Sequence, residues 1–310
     1  MLGRVTEHEP APDAHALRMA YRPPLAAAPL ERAIAAHVVP GLERREPGGL
    51  TRVVRGPSGP AIVRVDLGAH DDAVGAEVRP ADPGDLSALT ATLRRWLDLD
   101  ADPAQVADAL GGDPLLGPLL AARPGLRVLG STDGFETAAL TILGQQISLA
   151  AARTFAGRLV AAFGVPAGDG LTAFPAAAAM AGAGPDDLRA AVGVTGARGR
   201  SLHALAEAVA GGLRLDPGAD PAATRASLLA LPGIGPWTAD YVAVRVLGDR
   251  DAFPAGDLVL RRALGVRTAA EATARAEAWR PWRAHALFHL WTDAAFAGPE
   301  GAIAPPPGAG

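Results

Sequence analysis

The segment Leu231–Asp257, LPGIGPWTADYVAVRVLGDRDAFPAGD, constrains the fold of this chain more than any other stretch. It opens with a Leu-Pro-Gly-Ile-Gly turn between two stretches whose apolar residues recur at helical spacing. Gly233 and Gly235 let the backbone turn tightly and let another backbone approach closely. Pro236 suits the first turn of a helix because its missing N–H has no partner there. The segment predicts a helical hairpin over residues 222–248.

The N–H groups at the start of the hairpin's second helix lack intrahelical partners, and such groups bind anions such as phosphate. An isolated carboxylate, Asp257, follows Gly235 by twenty-two residues, after a Pro-Ala-Gly loop. Its local sequence predicts an N-cap for a helix over Leu258–Leu264, because Asp is a preferred cap residue. A cap position would also hold the carboxylate rigidly, so a structural and a chemical role are compatible.

This order of hairpin, loop and Asp resembles the helix-hairpin-helix DNA glycosylase superfamily. The run Trp237–Tyr241, the block ILGQQIS at 142–148 and the tryptophan-containing blocks at 279–283 and 289–291 are similar to its alkylbase branch, the DNA-3-methyladenine glycosylase II type. The resemblance covers the chain from about residue 21 onward. It implies an enzyme of base-excision repair that flips out alkylated purines and hydrolyses the N-glycosidic bond.

The expected fold is mainly α with an α+β N-terminal domain. Period-two alternation over 61–67 and 73–78 predicts strands, and the resemblance implies that residues 15–84 form a small antiparallel sheet with a helix. Residues 85–300 predict an all-α helix-hairpin-helix glycosylase domain, because helical stretches there are joined by short Pro/Gly loops.

Within that domain, one of the predicted helices covers Thr172–Met180. We expect residues 1–14 to be a disordered leader and residues 301–310 a flexible tail.

Two absences from the composition limit the chemistry. Without cysteine, the chain has no disulfide and no thiolate ligand for a metal or an iron–sulfur cluster. Without lysine, no side-chain amine can form a Schiff base, and Trp237 stands where bifunctional relatives place a lysine. We therefore expect a monofunctional enzyme with no lyase activity and no required cofactor.

The formal net charge of −4 does not by itself indicate nucleic-acid binding, but a local basic face is sufficient for it. No run of eighteen apolar residues predicts a membrane span, and the N-terminus lacks the apolar core of a signal peptide. We expect a cytoplasmic, nucleoid-associated monomer whose partner is double-stranded DNA containing damaged bases.

The resemblance implies that Asp257 is the catalytic residue. Loss of a base gives the deoxyribose an oxocarbenium-like transition state, which a nearby carboxylate stabilises while it orients or deprotonates the attacking water. Asp240, on the second hairpin helix, is interpreted as structural or solvent-facing. His285 and His289 lie four apart without the Glu of a zinc-protease motif, so we expect surface or core histidines.

The candidate base pocket consists of Trp237, Tyr241 and Trp291. The first two are four positions apart and share a helix face. Aromatic faces attract cationic alkylated bases and replace the stacking that an extruded base has lost. The alternative is core packing, the usual role of such residues and the one we expect for Trp279 and Trp282.

Gln146 occupies the position at which relatives insert a wedge into the gap left by the flipped base. The alternative is an ordinary residue at a loop–helix junction. The candidate DNA-backbone contacts are the N–H groups of Gly233 and Gly235, together with four arginines: Arg261, Arg262, Arg198 and Arg200. The resemblance also implies a structural Na⁺ or K⁺ held by main-chain carbonyls, here Leu229, Leu231 and Gly233.

Two alternative functions stay open. One is a glycosylase for oxidised or deaminated bases, and the other is a non-catalytic helix-hairpin-helix DNA-binding module. Activity on neutral lesions would distinguish the first, and DNA binding without base release would distinguish the second.

Overall fold

The computed structural model describes residues 13–46, 49–68 and 72–296 of the protein. Apart from residues 13 and 14, the predicted leader (1–14) and the predicted tail (301–310) lie outside these ranges. Within the described ranges, no helix combines the length and the apolar content that a membrane crossing requires.

The N-terminal part is built on an antiparallel sheet with the strand order β1-β5-β4-β3-β2 among the described residues. Val53 of β3 pairs with Ile62 of β4, and Val63 of β4 pairs with Val78 of β5. Alternate residues therefore enter two different hydrophobic clusters, so both faces of the sheet are covered. The strands are β1 (His15–Ala20), β2 (Glu43–Glu46), β3 (Gly49–Arg55), β4 (Pro60–Asp66) and β5 (Ala73–Arg79).

Helices make up most of the remaining chain, and many begin at a side-chain cap. Asp133, Ser148 and Asp257 each accept a hydrogen bond from a main-chain N–H in the first turn of the helix that follows. The helices are α1 (Ala27–Ala36), α2 (Leu86–Trp96), α3 (Pro103–Leu110), α4 (Leu116–Ala122), α5 (Gly134–Gly144), α6 (Leu149–Phe163), α7 (Ala177–Ala183), α8 (Pro185–Val192), α9 (Gly196–Ala210), α10 (Pro221–Leu229), α11 (Pro236–Val242), α12 (Leu258–Leu264), α13 (Ala269–Ala276) and α14 (Arg283–Phe296).

The predicted fold class, mainly α after a small antiparallel sheet, is confirmed with one correction. The helix predicted over Thr172–Met180 is wrong in its first part, because strands β6 (Val165–Gly168) and β7 (Leu171–Ala173) form a hairpin there. Gly168, Asp169 and Gly170 all have positive φ and make the tight turn. Thr172 N also donates to Gly41 O at 2.8 Å, so a tertiary contact favours the extended backbone.

A buried ion network joins the sheet to the helices. Arg52 of β3 lies 3.0 Å from Glu43 and 2.6 Å from Glu136 of α5, and none of the three side chains is more than 9% exposed. Burial raises the pKa of Glu136 to about 7, and the Arg52 charge acts in the opposite direction. One hydrophobic cluster combines sheet residues with α2, α4 and α14, and therefore crosses residue 84. The predicted domain boundary at that residue stays a prediction.

Candidate functional site

The predicted hairpin forms from α10 and α11, and its turn requires glycine. Gly233 has a φ of +75°, and a Cβ there would lie 2.2 Å from the Ser201 hydroxyl oxygen on α9. The first intrahelical bond of α11 runs from Ala239 N to Gly235 O at 3.1 Å. The N–H groups that precede Ala239 in the helix therefore have no acceptor within it.

The three aromatic residues predicted to form a pocket lie together. Trp237 and Tyr241 stack along one face of α11, with ring centroids 5.4 Å apart and an interplanar angle of 28°. Trp291 of α14 packs against Tyr241 at 6.0 Å, and Phe288 packs against Trp291 at 5.6 Å. The three predicted residues are half-buried, so this aromatic cluster keeps accessible surface. By contrast Trp279 is in the core at 1% exposure, as expected.

Asp257 lies beside the aromatic cluster and is held by N–H groups on both carboxylate oxygens. Its Oδ1 accepts from Leu260 N at 2.8 Å, which is the predicted N-cap of α12. The same oxygen accepts from Trp291 Nε1 at 3.0 Å, and Oδ2 accepts from Trp237 Nε1 at 2.9 Å. The indole edges and the helix start therefore fix the orientation of a half-buried carboxylate next to an aromatic surface.

This arrangement suits a reaction that develops positive charge. A fixed carboxylate stabilises a cation without the cost of reorganising at the moment of reaction. The carboxylate oxygens together offer about four acceptor sites, so three N–H donors leave capacity for one water.

Arg245 also lies at the candidate site, although it was not predicted from the sequence. It lies in a π-helical turn, Ala243–Leu247, that continues α11. Its Nη1 donates to the Tyr241 hydroxyl at 2.7 Å, and its Nη2 donates to Gly130 O at 3.2 Å. The guanidinium carbon is 5.4 Å from the centroid of the Tyr241 ring and 5.9 Å from that of Phe288. Arg245 follows Tyr241 by four positions, and this helical spacing was the sign in the sequence that the two side chains could meet.

The loop between α5 and α6 carries the predicted wedge. The Gln146 side chain is exposed, and its backbone has a φ of +56°, which few residues other than glycine adopt. The preceding residue, Gln145, is half-buried, and its Nε2 donates to Gly233 O and to Thr238 Oγ1, each at 3.1 Å. This contact between the wedge loop and the hairpin was not predicted from the sequence.

The arginines predicted to contact DNA differ in exposure and in the hydrogen bonds that they already make. Arg262 and Arg200 are exposed. Arg261 is half-buried and donates to Arg267 O at 2.5 Å, while Arg198 donates to Gln145 O at 2.5 Å. Arg198 therefore holds the wedge loop in this structure.

The remaining candidates, Asp240, His285 and His289, have environments typical of structural residues. Asp240 forms a 2.9 Å ion pair with Arg225, which links α11 to α10. His285 and His289 are each only 2% exposed. Burial lowers the pKa of His285 to about 3 and that of His289 to about 4, with nearby arginine charges acting in the same direction. Among the described residues, no His/Cys/Asp/Glu group has the arrangement of a metal site.

A glycine hairpin of the DNA-binding type beside a capped carboxylate and an aromatic surface defines the class of helix-hairpin-helix proteins that act on bases. Residues 16–133 match the family described as the AlkA N-terminal domain, and residues 139–283 match the HhH-GPD superfamily of base excision DNA repair proteins. The Escherichia coli protein named DNA-3-methyladenine glycosylase 2 is 36% identical over 204 residues, covering 65% of this chain and 70% of that protein.

A Mycobacterium tuberculosis protein named probable bifunctional transcriptional activator/DNA repair enzyme AlkA is 44% identical over 285 residues. That match covers 89% of this chain but only 56% of the relative, so the chain spans little more than half its length. The solved 3-methyladenine DNA-glycosylase of Archaeoglobus fulgidus shares the fold, with a TM-score of 0.81, 23% identity, and coverage of 91% of this chain and 99% of that one. The chain belongs to the HhH-GPD superfamily of base excision DNA repair proteins.

Proposed function

We propose that this protein is a monofunctional DNA glycosylase that flips alkylated purines such as 3-methyladenine out of duplex DNA and removes them by hydrolysis. The product is an abasic site. The observation that carries the proposal is the Asp257 carboxylate, fixed by the indole N–H groups of Trp237 and Trp291 beside the aromatic cluster.

The proposed reaction uses few groups because a cationic alkylated base is already a good leaving group. The flipped base stacks on the cluster of Trp237, Tyr241 and Trp291. The bond from the sugar C1′ to the purine N9 breaks, and its electron pair leaves with the base. Asp257 stabilises the oxocarbenium and orients the water, whose oxygen bonds to C1′ while its proton passes to the carboxylate or to solvent. The absence of lysine supports a hydrolytic reaction without a lyase step.

The proposed DNA interface is the face that carries the hairpin and the wedge loop. The N–H groups at Gly233 and Gly235 would bind a backbone phosphate, helped by Arg261 and the exposed Arg262. Gln146, exposed at the tip of its loop, would fill the gap left by the extruded base. The protein would act as a monomer on damaged duplex DNA in the nucleoid.

A monovalent cation at the hairpin is a further part of the proposal. The carbonyl of Leu231 accepts from Ile234 N at 3.3 Å, and that of Gly233 accepts from Gln145 Nε2 at 3.1 Å. Each carbonyl oxygen has a second lone pair, so these contacts are compatible with a bound ion. Leu229, Leu231 and Gly233 would hold Na⁺ or K⁺, which would neutralise part of the phosphate charge.

One observation favours the second candidate, a glycosylase for oxidised or deaminated bases. The Arg245 guanidinium touches the Tyr241 ring and its hydroxyl, and so places a permanent positive charge against the proposed pocket. Such a charge repels a cationic base but not a neutral one.

The decisive experiment compares base release from methylated duplex DNA by the wild type, Asp257→Asn and Asp240→Asn. Asparagine removes the charge and keeps an acceptor oxygen for only one of the two indole N–H groups, because its amide nitrogen is a donor. Asp240→Asn is the matched control, because that carboxylate is on the same hairpin and pairs with Arg225. We expect the wild type and the control to release 3-methyladenine, and Asp257→Asn to bind DNA but react at least about a hundredfold more slowly.

If the wild type binds DNA and releases no base, the non-catalytic binding module replaces the glycosylase. If Asp257→Asn reacts at the wild-type rate, the catalytic assignment of Asp257 is wrong.

A further inference from the structure

The side chain of Gln145 joins two parts of the proposed DNA interface. The wedge loop follows α5 and carries Gln146, while the hairpin turn carries Gly233. Gln145 lies between them, with its Nε2 at 3.1 Å from Gly233 O and at 3.1 Å from Thr238 Oγ1. From these contacts we infer that Gln145 is a positioning residue that couples binding of the DNA backbone at the hairpin to insertion of the wedge. This inference rests on the proposed function.

The contact requires the chemistry of a glutamine amide. Gly233 O is a main-chain carbonyl and only accepts, so the group that faces it must be a donor. Thr238 is 2% exposed, and its hydroxyl accepts the second N–H of the same amide. A glutamate here would set a carboxylate oxygen against the Gly233 carbonyl, and asparagine is one methylene too short for the same reach.

The main chain of Gln145 is held as firmly as its side chain. Its carbonyl accepts from Arg198 Nη2 at 2.5 Å, and Arg198 lies one helical turn from Ser201 on α9. Ser201 is the residue whose hydroxyl lies against the Gly233 position. The wedge loop, the hairpin and α9 therefore meet at Gln145, so a displacement of any one of them would alter the hydrogen bonds of this residue.

This junction has a consequence for the energetics of base flipping. Gln146 keeps an unfavourable left-handed backbone, which persists only where its surroundings fix it. The bonds of Gln145 supply that constraint on one side, and the Ser148 cap of α6 supplies it on the other. When a phosphate fixes the hairpin turn, the wedge is fixed in the same position, so binding energy at the backbone assists extrusion of the base.

The test compares Gln145→Ala with the wild type on two duplexes that each contain one 7-methylguanine. In the first duplex the lesion faces cytosine, and in the second it faces a tetrahydrofuran abasic analogue, where less pairing opposes flipping. Losing two neutral hydrogen bonds should slow single-turnover release from the paired duplex about tenfold to thirtyfold. Release from the unpaired duplex should fall by less than about threefold, with the Kd for DNA unchanged within about twofold.

Three further variants separate coupling from a general structural effect. Gln105→Ala is the matched control, because Gln105 is an exposed glutamine on α3 whose side chain bonds Asp102. Thr238→Val removes one acceptor, and its combination with Gln145→Ala should be no slower than Gln145→Ala alone, since Gln145→Ala already removes the bond to Thr238. Gln145→Asn keeps the amide and should still slow release from the paired duplex. If Gln145→Ala slows base release from both duplexes equally, or from neither, the inference is wrong.

A second readout keeps this inference independent of catalysis. In an Asp257→Asn background, 2-aminopurine placed next to the lesion reports unstacking by its fluorescence without base release. We expect the fluorescence increase to be several-fold smaller when Gln145→Ala is added. If Gln145→Ala reduces the fluorescence increase but the wild-type protein never releases a base, the proposed function fails and the role of Gln145 stands. If Gln145→Ala gives the full fluorescence increase, the role of Gln145 fails.

Discussion

Trp237 donates a 2.9 Å hydrogen bond from its indole nitrogen to Oδ2 of Asp257, across twenty residues of sequence. Trp291 does the same to Oδ1 at 3.0 Å, from a helix thirty-four residues further along the chain. Each indole therefore contributes to the site twice. Its face belongs to the aromatic cluster, and its edge orients the carboxylate. The surface that would stack the base and the carboxylate that would stabilise the sugar cation are therefore parts of one hydrogen-bonded unit.

Replacing Trp237 or Trp291 with phenylalanine separates these two contributions. Phenylalanine keeps an aromatic face and loses the N–H donor to the carboxylate. A hydrogen bond to a charged group contributes roughly 1.5–3 kcal/mol, so we expect each variant to lower the single-turnover rate about tenfold or more. The Kd for lesion-containing DNA should change by less than about threefold, because the stacking face remains.

Trp282→Phe is the matched control for both variants, because Trp282 packs against the core and against Arg250. Its rate should stay at the wild-type value. A loss of DNA affinity with an unchanged rate in Trp237→Phe would show that the indole edge does not orient the carboxylate.

Replacing the glycine of the hairpin turn should affect both stability and DNA binding. Gly233→Ala places a Cβ at a φ of +75° and 2.2 Å from the Ser201 hydroxyl, whereas Gly248→Ala meets a similar φ of +70° with nothing within 4 Å. Gly248→Ala should therefore cost only the backbone strain, about 1–2 kcal/mol in the free energy of unfolding. Gly233→Ala should cost clearly more, and it should also weaken DNA binding. Urea unfolding and DNA titration measure both effects.

Adding Ser201→Ala to Gly233→Ala tests the cause. Removal of the hydroxyl relieves the shortest contact and leaves the backbone strain, so the double variant should recover part of the lost stability. If the double variant is as unstable as Gly233→Ala alone, the clash with Ser201 is not the reason that glycine is required.

The sequence predicted those parts of the site that depend on local order. The hairpin, the cap at Asp257 and the shared face of Trp237 and Tyr241 follow from glycine positions, a cap preference and helical spacing, and the structure has all of them. The residues Arg245 and Gln145 were missed because their roles are tertiary. Each also binds a main-chain carbonyl that is distant in the sequence, Gly130 O for Arg245 and Gly233 O for Gln145, and such a contact leaves no mark in the sequence.

The parts of the fold that were not predicted from the sequence have a similar physical cause. Strand β2 has the sequence ERRE, and a charged edge strand shows no apolar alternation. The β6–β7 hairpin is extended because Thr172 binds Gly41 and because three positive-φ residues form its turn, while its alanines favour a helix locally. The contact with Gly41, more than a hundred residues away in the sequence, therefore outweighs the local helix propensity.

Acid stability depends on the buried histidines. Burial and the Arg123 charge lower the pKa of His289 from 6.5 to about 4, so the native state stays unprotonated while the unfolded state takes up a proton below about 6.5. The unfolded state then binds more protons, and stability falls as the pH falls through this window. Between about pH 7.5 and about pH 5.5, the wild type should lose about 1 kcal/mol more stability than His289→Gln. Equal losses in urea unfolding would contradict the buried neutral state of His289.

The positive charge of Arg245 leads to the last prediction, which concerns the choice of lesion. The guanidinium lies 5.4 Å from the centroid of the Tyr241 ring, so a base stacked on the aromatic cluster is within range of its charge. Two unit charges about 8 Å apart interact by about 2 kcal/mol at an effective dielectric constant of about 20, and a neutral base does not experience this repulsion.

Arg245→Met should therefore raise the ratio of 3-methyladenine release to hypoxanthine release by about threefold to tenfold, since solvent screens part of the charge. Arg245→Lys keeps the charge but loses the geometry that reaches both Tyr241 Oη and Gly130 O, so it should lower both rates and leave their ratio unchanged. Competition between the two lesions in one reaction gives the ratio directly. An equal fall of both rates in Arg245→Met would show that Arg245 only braces Tyr241 and does not affect which base is accepted.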